Sequence, residues 1–417
     1  MAITQPLSES GAAAVTGRPR AVRRATSRLR GVDRVLLGTF LRFAGNPPLR
    51  CVLPDGSVID PPGGDVVGTL RFRDRPTLYA LLRMPEIGFG EGYTDGRIEV
   101  EGDLLEVVAA AYRTPPSALI ERLFFSAGTP RPNSLRGSRD NIHQHYDLGN
   151  DFYRLWLDEH MLYTCAYYPT PAATLEQAQV AKMHHVCRKV ALRPGERVVE
   201  AGCGWGSLAL HMARHYGVTV RAFNVSSEQI AFARKRAQQE GLADRVEFVE
   251  DDYRNVRGKY DAFVSVGMLE HVGIRHYQTL GQIIDRTLSD RGRGLLHFIG
   301  RDRPAPINAW IRKRIFPGGY VPALREVCER VLEPAGLSVC DVENLRWHYA
   351  RTLNHWRRRF EAAEDQVAAM FDAPFVRAWR LYLAGSEASF TTGSLQLFQV
   401  LFIRSDGEPL DWMRVTR

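Results

Sequence analysis

The chain has 417 residues, 45% hydrophobic and 24% charged, the composition of a globular protein long enough for one large domain with a companion. No run approaches the roughly 20 apolar residues of a membrane span, and the N-terminus lacks the apolar stretch of a secretion signal, so the expected location is cytoplasmic. Lysine and arginine total 55 against 47 acids, and the resulting net charge of +8 asks for a polyanionic partner, either nucleic acid or anionic lipid.

Residues 1–35 read as a basic, disordered or partly helical arm carrying Arg18, Arg20, Arg23, Arg24, Arg28, Arg30 and Arg34 against Glu9 and Asp33. No aromatic side chain is interleaved to stack on bases and no nucleic-acid motif accompanies the arginines. The arm therefore points to peripheral attachment at an anionic membrane surface and away from nucleic acid. A solvated basic tail is the plainer alternative. Residues 36–125 predict a small mixed α+β unit. It has a hairpin across Asp55 and Gly56, a strand in 66–72, and helices in 77–84 and 103–113. Gly88 to Gly92, a glycine at every second position, lacks the lysine and hydroxyl residue of a phosphate loop and reads as a turn. The Pro, Gly and Ser content of 126–140 marks a linker.

From 141 to 417 strand and helix patterns alternate. Strands are expected at 217–225, 245–250, 260–268 and 292–300, and helices at 226–241, capped by Ser226 or Ser227, and 277–288. Such alternation implies an α/β domain with a parallel sheet, whose ligands sit beyond the carboxyl ends of the strands. Glu200 to Gly206, Asn224, Asp251, Asp252, Gly267 to Glu270 and His297 to Ile299 all fall there, and Gln229 lies one helical turn past Asn224. The six cysteines form no C-x-x-C pair and no zinc-type spacing with histidine, so neither disulfides nor a metal site are expected.

The stretch 197–210, RVVEAGCGWGSLAL, reads as a buried strand, a glycine turn and a helix start. Its G-x-G-x-G spacing at Gly202, Gly204 and Gly206 departs from the dinucleotide-binding pattern, and the next strand ends in Asn224 with no acid there. The variant resembles the first motif of class I methyltransferases that bind S-adenosylmethionine. A tight strand-to-helix connection without a ligand is the alternative.

HYDLGNDFYRLWLDEHMLYTCAYY (145–168), AGCGWG (201–206), MLEHVG (268–273), LLHFIG (295–300), IFPGG (315–319) and HYARTLNHW (348–356) together, and in this order, resemble the cyclopropane-fatty-acid synthases and their mycolic-acid relatives. The resemblance implies a class I methyltransferase, Rossmann-like doubly wound sheet with a small mixed α+β N-terminal domain. It further implies methyl transfer from S-adenosylmethionine to the double bond of unsaturated phospholipid acyl chains. The alkene attacks the sulfonium methyl, and a bound bicarbonate ion takes the proton that must leave for the ring to close. The matching bicarbonate positions are Cys165, Glu270, His297, Ile299 and Tyr349. Glu270 would accept the bicarbonate hydroxyl while His297, Tyr349 and amides donate to the other oxygens.

Cys165 has no partner motif that would activate a thiolate, and the resemblance gives it a lining role. Tyr163, Tyr167, Tyr168, Trp347 and Tyr349 would line the acyl path. Cofactor positions carried over are Tyr163 and Thr164 from a helical lid, then Glu200, Gly202, Gly204, Gly206, Asn224, Gln229, Asp251 and Asp252. Many members of that family carry Thr or Ser where this chain has Asn224, and some have a Trp-Glu pair near Asp251 and Asp252. Methyl or methylene branching of the same lipids, N-methylation of a small amine, and a lipid-binding protein with a dead site are the other readings. The sequence leaves a homodimer open.

Overall fold

The computed structural model describes residues 31–114 and 148–406. The arm up to residue 30, the linker at 126–140 and the first residues of the 145–168 motif lie outside the described residues.

The N-terminal unit is a four-stranded sheet of β1 (Leu49–Val52), β2 (Val58–Ile59), β3 (Gly68–Phe72) and β4 (Ile98–Glu101), in the order β2-β1-β3-β4. The expected hairpin is present: β1 and β2 pair antiparallel, and Gly56 makes the turn at φ +85°. Leu37, Cys51, Phe72, Leu78 and Ile98 close its small core. Its first helix, Gly31–Phe43, begins inside the segment expected as arm.

Gly88 to Gly92 is not a turn. It is the middle of the helix Pro85–Thr94, opened by a proline at its first position. The alternate glycines serve close approach: a Cβ on Gly88 would lie 2.4 Å from the Leu81 amide nitrogen, and one on Gly90 would lie 2.3 Å from the Trp310 ring. Through this helix the unit docks on the large domain. Glu86 accepts from the Ala309 amide at 2.6 Å, Glu91 pairs with Lys313 and Arg314, and Arg377 donates to the Tyr93 carbonyl at 2.6 Å.

The large domain is built on a seven-stranded sheet. Five strands run parallel: β5 (Arg197–Ala201), β6 (Thr219–Asn224), β7 (Val246–Glu250), β8 (Tyr260–Val266) and β9 (Leu288–Gly300). The sheet is not wholly parallel, because β11 (Gln396–Arg404) pairs antiparallel with β9, and β10 (Leu337–Asn344) pairs antiparallel with β11. The order is β10-β11-β9-β8-β5-β6-β7. Separate apolar clusters cover the sheet, one holding Val198, Met212 and Ile230 and another Val199, Phe263 and Ile284, as alternating side chains on a two-faced sheet require. A third cluster lies where the segment 152–168 meets the helices Arg346–Ala362 and Ala373–Thr392. Among the described residues no helix is long and apolar enough to cross a membrane.

The glycine helix gives a stability test. Gly90→Ala should lower stability by about 1–3 kcal/mol despite alanine's better helix propensity, because the new methyl overpacks against Trp310. Gly38→Ala, with nothing within 4 Å of the added carbon, should stabilise by up to about 1 kcal/mol. Urea denaturation of both variants checks the contrast.

Candidate functional site

A cleft opens beyond the carboxyl ends of β5, β6 and β8, lined among others by Thr164, Glu200, Gly204, Asn224, Gln229 and Met268. β5 ends in three glycines with positive φ: +85° at Gly202, +53° at Gly204 and +84° at Gly206. They do different work. A Cβ on Gly206 would meet Phe248 at 2.5 Å and one on Gly202 would meet Met268 at 2.8 Å, so both are closed by packing, whereas nothing lies within 4 Å of a Cβ on Gly204. Gly204 is where the turn faces open space, while Gly206 lets the helix Ser207–Tyr216 settle on the sheet.

Asn224 donates to the Gln229 side chain at 2.6 Å and to the Gly204 carbonyl at 3.3 Å, so the last residue of β6, the following helix and the glycine turn form one polar rim. That helix starts at Ser226, whose hydroxyl accepts from the Gln229 amide. Asp251 and Asp252 do not line this cleft. Asp252 is buried in an ion pair with Arg254 at 2.7 Å and caps the short turn Tyr253–Asn255, and Asp251 accepts from Asn255 at 2.9 Å. Local bonds take up the Asp252 carboxylate, which a sequence pattern cannot reveal.

The opposite wall is the segment 158–168. Tyr163 and Thr164 sit there in irregular chain, not in a helical lid. The segment is held from within and from a helix on either side. Buried Asp158 accepts from the Leu162 amide at 2.9 Å, the Gln179 side chain donates to the Leu162 and Thr164 carbonyls, and Lys182 Nζ donates to Thr164 Oγ1 at 2.9 Å. Further along, the Ala166 amide donates to Thr352 Oγ1 at 3.0 Å and the Tyr168 amide to His348 Nδ1 at 2.9 Å.

Lys182 and Gln179 had no place in the sequence reading. Both lie on the buried stripe Leu175, Ala178, Gln179, Lys182, Val186 of the helix Leu175–Lys189, and a lysine in such a stripe is the signal that would have found them. Burial pushes the Lys182 ammonium down and the Glu200 carboxyl up, and each charge opposes the shift of the other.

Glu270, in the short helix Leu269–Val272 after β8, reaches the end of β9: its Oε1 accepts from the Ile299 amide at 2.6 Å. Its Oε2 is buried with no partner, and burial raises its pKa to about 7. His297 is two residues from Ile299 on β9, so the two side chains project to the same face. Its Nδ1 faces the Gln399 side-chain nitrogen at 3.0 Å across the β9–β11 pairing. With Gln399 donating, the ring proton sits on Nε2, which is buried with no partner. Burial lowers the His297 pKa to about 3, so the ring is neutral. Gln399 too was beyond the sequence reading, since only strand register sets it against His297.

Cys165, Tyr349 and Ile299 pack in one apolar cluster with Tyr163, Trp156 and Trp356. Burial drives the Cys165 thiol well above its usual range, so it stays a neutral wall and not a nucleophile. Tyr163 stands 5.2 Å from Trp156 and 5.3 Å from Trp356 between ring centroids, and shares a 2.6 Å hydroxyl contact with Tyr382. Trp347 is outside this aromatic wall, 62% exposed under the Arg346 guanidinium.

Residues 133–400 match the family described as mycolic acid cyclopropane synthetase, and residues 36–122 match a domain family of unknown function. A probable fatty acid methyltransferase of Pseudomonas putida is 37% identical, over 88% of this chain and 95% of its own. The cyclopropane-fatty-acyl-phospholipid synthase of Escherichia coli K12 is 36% identical, over 82% of this chain and 89% of its own. Among solved structures, the cyclopropane synthase MmaA2 from Mycobacterium tuberculosis superposes with a TM-score of 0.61 at 28% identity, covering 64% of this chain and 98% of that one. The mycolic acid cyclopropane synthase CmaA1, crystallised with SAH and CTAB, gives the same identity, score and coverage.

Lys182 is a buried ammonium bonded to Thr164 Oγ1, and its charge acts on Asp158 and Glu200. Lys182→Met should cost about 1–3 kcal/mol of stability at pH 7, because it removes the bond to Thr164 Oγ1 and the charge that offsets the burial of Asp158 and Glu200. Lys182→Met with Glu200→Gln should regain part of the loss. Urea denaturation of the single and double variants measures the coupling.

Proposed function

The chain belongs to the mycolic acid cyclopropane synthetase family, and on that premise we propose that it transfers the methyl carbon of S-adenosylmethionine to the double bond of unsaturated acyl chains in membrane phospholipids, closing a cyclopropane ring with bicarbonate as the base. It is an S-adenosylmethionine-dependent methyltransferase of the cyclopropane synthase type. The observation that carries the finer reading is the pair of orphaned buried atoms, Glu270 Oε2 and His297 Nε2, beside an apolar aromatic wall. One is an acceptor and the other a donor, and a buried polar atom without a partner costs roughly 1–3 kcal/mol, so the site asks for a small ligand offering both. Bicarbonate, with one hydroxyl and two acceptor oxygens, fits that demand.

In this reading Glu270 Oε2 accepts the bicarbonate hydroxyl, the neutral His297 donates from Nε2, and Tyr349 lies at the third matching position. Gln399 holds the His297 tautomer. The Ile299 amide is already engaged by Glu270, so it orients the carboxylate, and Ile299 contributes its side chain to the wall. When bound, S-adenosylmethionine supplies an electrophilic methyl group and bicarbonate supplies the base. Tyr163, Thr164, Glu200, Gly202, Gly204, Asn224 and Gln229 would hold the cofactor in the cleft. Glu200, whose Oε2 is also buried without a partner, is the acceptor at its floor. The rings around Tyr163 would pack the acyl chain and face positive charge developing on it. The similarity to a probable fatty acid methyltransferase supports a second product, a methyl or methylene branch, from the same site. Mass spectrometry of membrane fatty acids from cells with and without the protein separates ring from branch.

Gly204→Val should cost about 1–3 kcal/mol for a branched side chain at φ +53°, leave the protein folded and abolish S-adenosylmethionine binding in calorimetry, since the side chain would enter the open side of the turn. Unchanged affinity in the folded variant rejects the cofactor assignment. For the base, Glu270→Gln should lower turnover by about 10²- to 10⁴-fold, and stripping carbonate from the buffer should lower it until bicarbonate is returned. The pH profile has a definite sign. Glu270 accepts the hydroxyl only as a carboxylate, and its pKa is raised to about 7, so turnover should rise as pH increases through about 7. Glu270→Gln should remove that limb. Full wild-type turnover in carbonate-free buffer rejects the bicarbonate mechanism while leaving the lipid substrate in place.

A further inference from the structure

The helix Gly31–Phe43 is apolar on two sides, with Leu37, Phe40 and Leu41 packed on the small core and a second apolar stripe facing outward. It buries Asp33 and Leu37, while Val32 is 56% exposed, Val35 65%, Leu36 41% and Phe43 42%. At helical spacing Val32, Val35, Leu36, Thr39 and Phe43 fall within a sector roughly 100° wide, the width of stripe a surface helix ordinarily turns to its core. The seating is fixed chemically. The fully buried Asp33 carboxylate pairs with Arg75 at 2.9 Å and accepts from the Tyr79 hydroxyl at 2.5 Å, both on the next helix. Rolling the helix to hide its valines would bring that carboxylate out of its bonds.

Charge accompanies the apolar stripe. Arg42 is exposed at the edge of the stripe next to Val35, and the 30 residues before the helix contain Arg18, Arg20, Arg23, Arg24, Arg28 and Arg30 against one acid, Glu9. An exposed apolar sector with Arg42 at its edge and an arginine-rich segment before it matches one partner chemistry, the surface of an anionic bilayer, where apolar side chains enter the acyl boundary and guanidinium groups meet phosphates. We propose that the Val32–Val35–Leu36–Phe43 face of the helix Gly31–Phe43 is a bilayer-insertion surface that holds the enzyme at anionic membranes. The inference rests on reading the protein as an enzyme of membrane phospholipids, and it adds an apolar component to what the arginine arm alone would give.

The two components respond differently to salt. Attraction by arginines fades as the screening length falls from about 10 Å at 0.1 M to about 3 Å at 1 M, whereas apolar insertion does not weaken with salt. The test is sedimentation of the full chain with phosphatidylglycerol–phosphatidylcholine vesicles at both salt concentrations. The wild type should retain measurable binding at 1 M. The Val32→Ser/Val35→Ser/Leu36→Ser/Phe43→Ser variant should lose at least about tenfold at either salt concentration, and Val35→Trp should bind more tightly.

Thermal melting and turnover of detergent-dispersed lipid, unchanged in the serine variant, exclude a folding defect. Equal vesicle binding by wild type and the serine variant overturns the proposal. So does light scattering in which the wild type is a dimer and the serine variant a monomer of equal vesicle affinity, because a second copy would then cover the face. Absence of methyl transfer to dispersed lipid in the wild type would instead count against the enzymatic reading, independently of vesicle binding.

Discussion

Desolvation of a few carboxyl groups organises this protein. Glu200 at the end of β5 and Glu270 after β8 are both buried where an isolated charge would be costly, and each keeps one oxygen without a partner. The surroundings are arranged around that cost. Lys182 comes up from the helix Leu175–Lys189 as a buried cation near Glu200, and the Ile299 amide satisfies one oxygen of Glu270. One oxygen of each carboxyl is left buried without a partner, and Glu200 lies in the lining of the cleft.

The segment 158–168 separates the polar cleft from the aromatic wall and is positioned largely by side-chain bonds from the helices on either side of it. Gln179 and Lys182 hold it toward the sheet; Thr352 and His348 hold it toward the helix Arg346–Ala362. One stretch of irregular chain thus presents Thr164 to one side and Cys165 to the other without regular secondary structure. Clamping from both sides offsets the entropy that an irregular segment would otherwise retain. It also fixes the spacing between the glycine turn and the wall of Trp156, Tyr163 and Trp356.

The N-terminal unit is joined to this machinery by packing. Alternate glycines in Pro85–Thr94 let the helix approach Trp310 and the preceding helix closely, and Glu86 and Glu91 then reach the backbone and the basic end of the helix Ala309–Arg314. The same unit presents the helix Gly31–Phe43 to solvent, seated on its buried aspartate. Its connection to the catalytic domain is therefore short-range, running through this glycine-rich helix and the helix Leu104–Arg113 to the segment that follows β9 and to the helix Ala373–Thr392.

The sequence by itself determined the local features: strand-to-helix alternation from 197 to 300, the glycine turn at 202–206, the Ser226 cap, the hairpin at Gly56, and the motifs that place Glu270 and His297 at strand ends. These are legible because hydrophobic period, glycine and capping chemistry act within a few residues. The same rules misread Gly88 to Gly92, where close packing against Trp310 gives alternate glycines a use inside a helix. Only the tertiary structure decided that Asp252 is consumed by Arg254, that Trp347 points away from the site, that Gln399 sets the tautomer of His297, and that Lys182 lies near Glu200. Each depends on partners brought together by register or by packing, and on which buried atoms are left without a bond. Burial and bond satisfaction belong to the folded whole, so no window of sequence contains them.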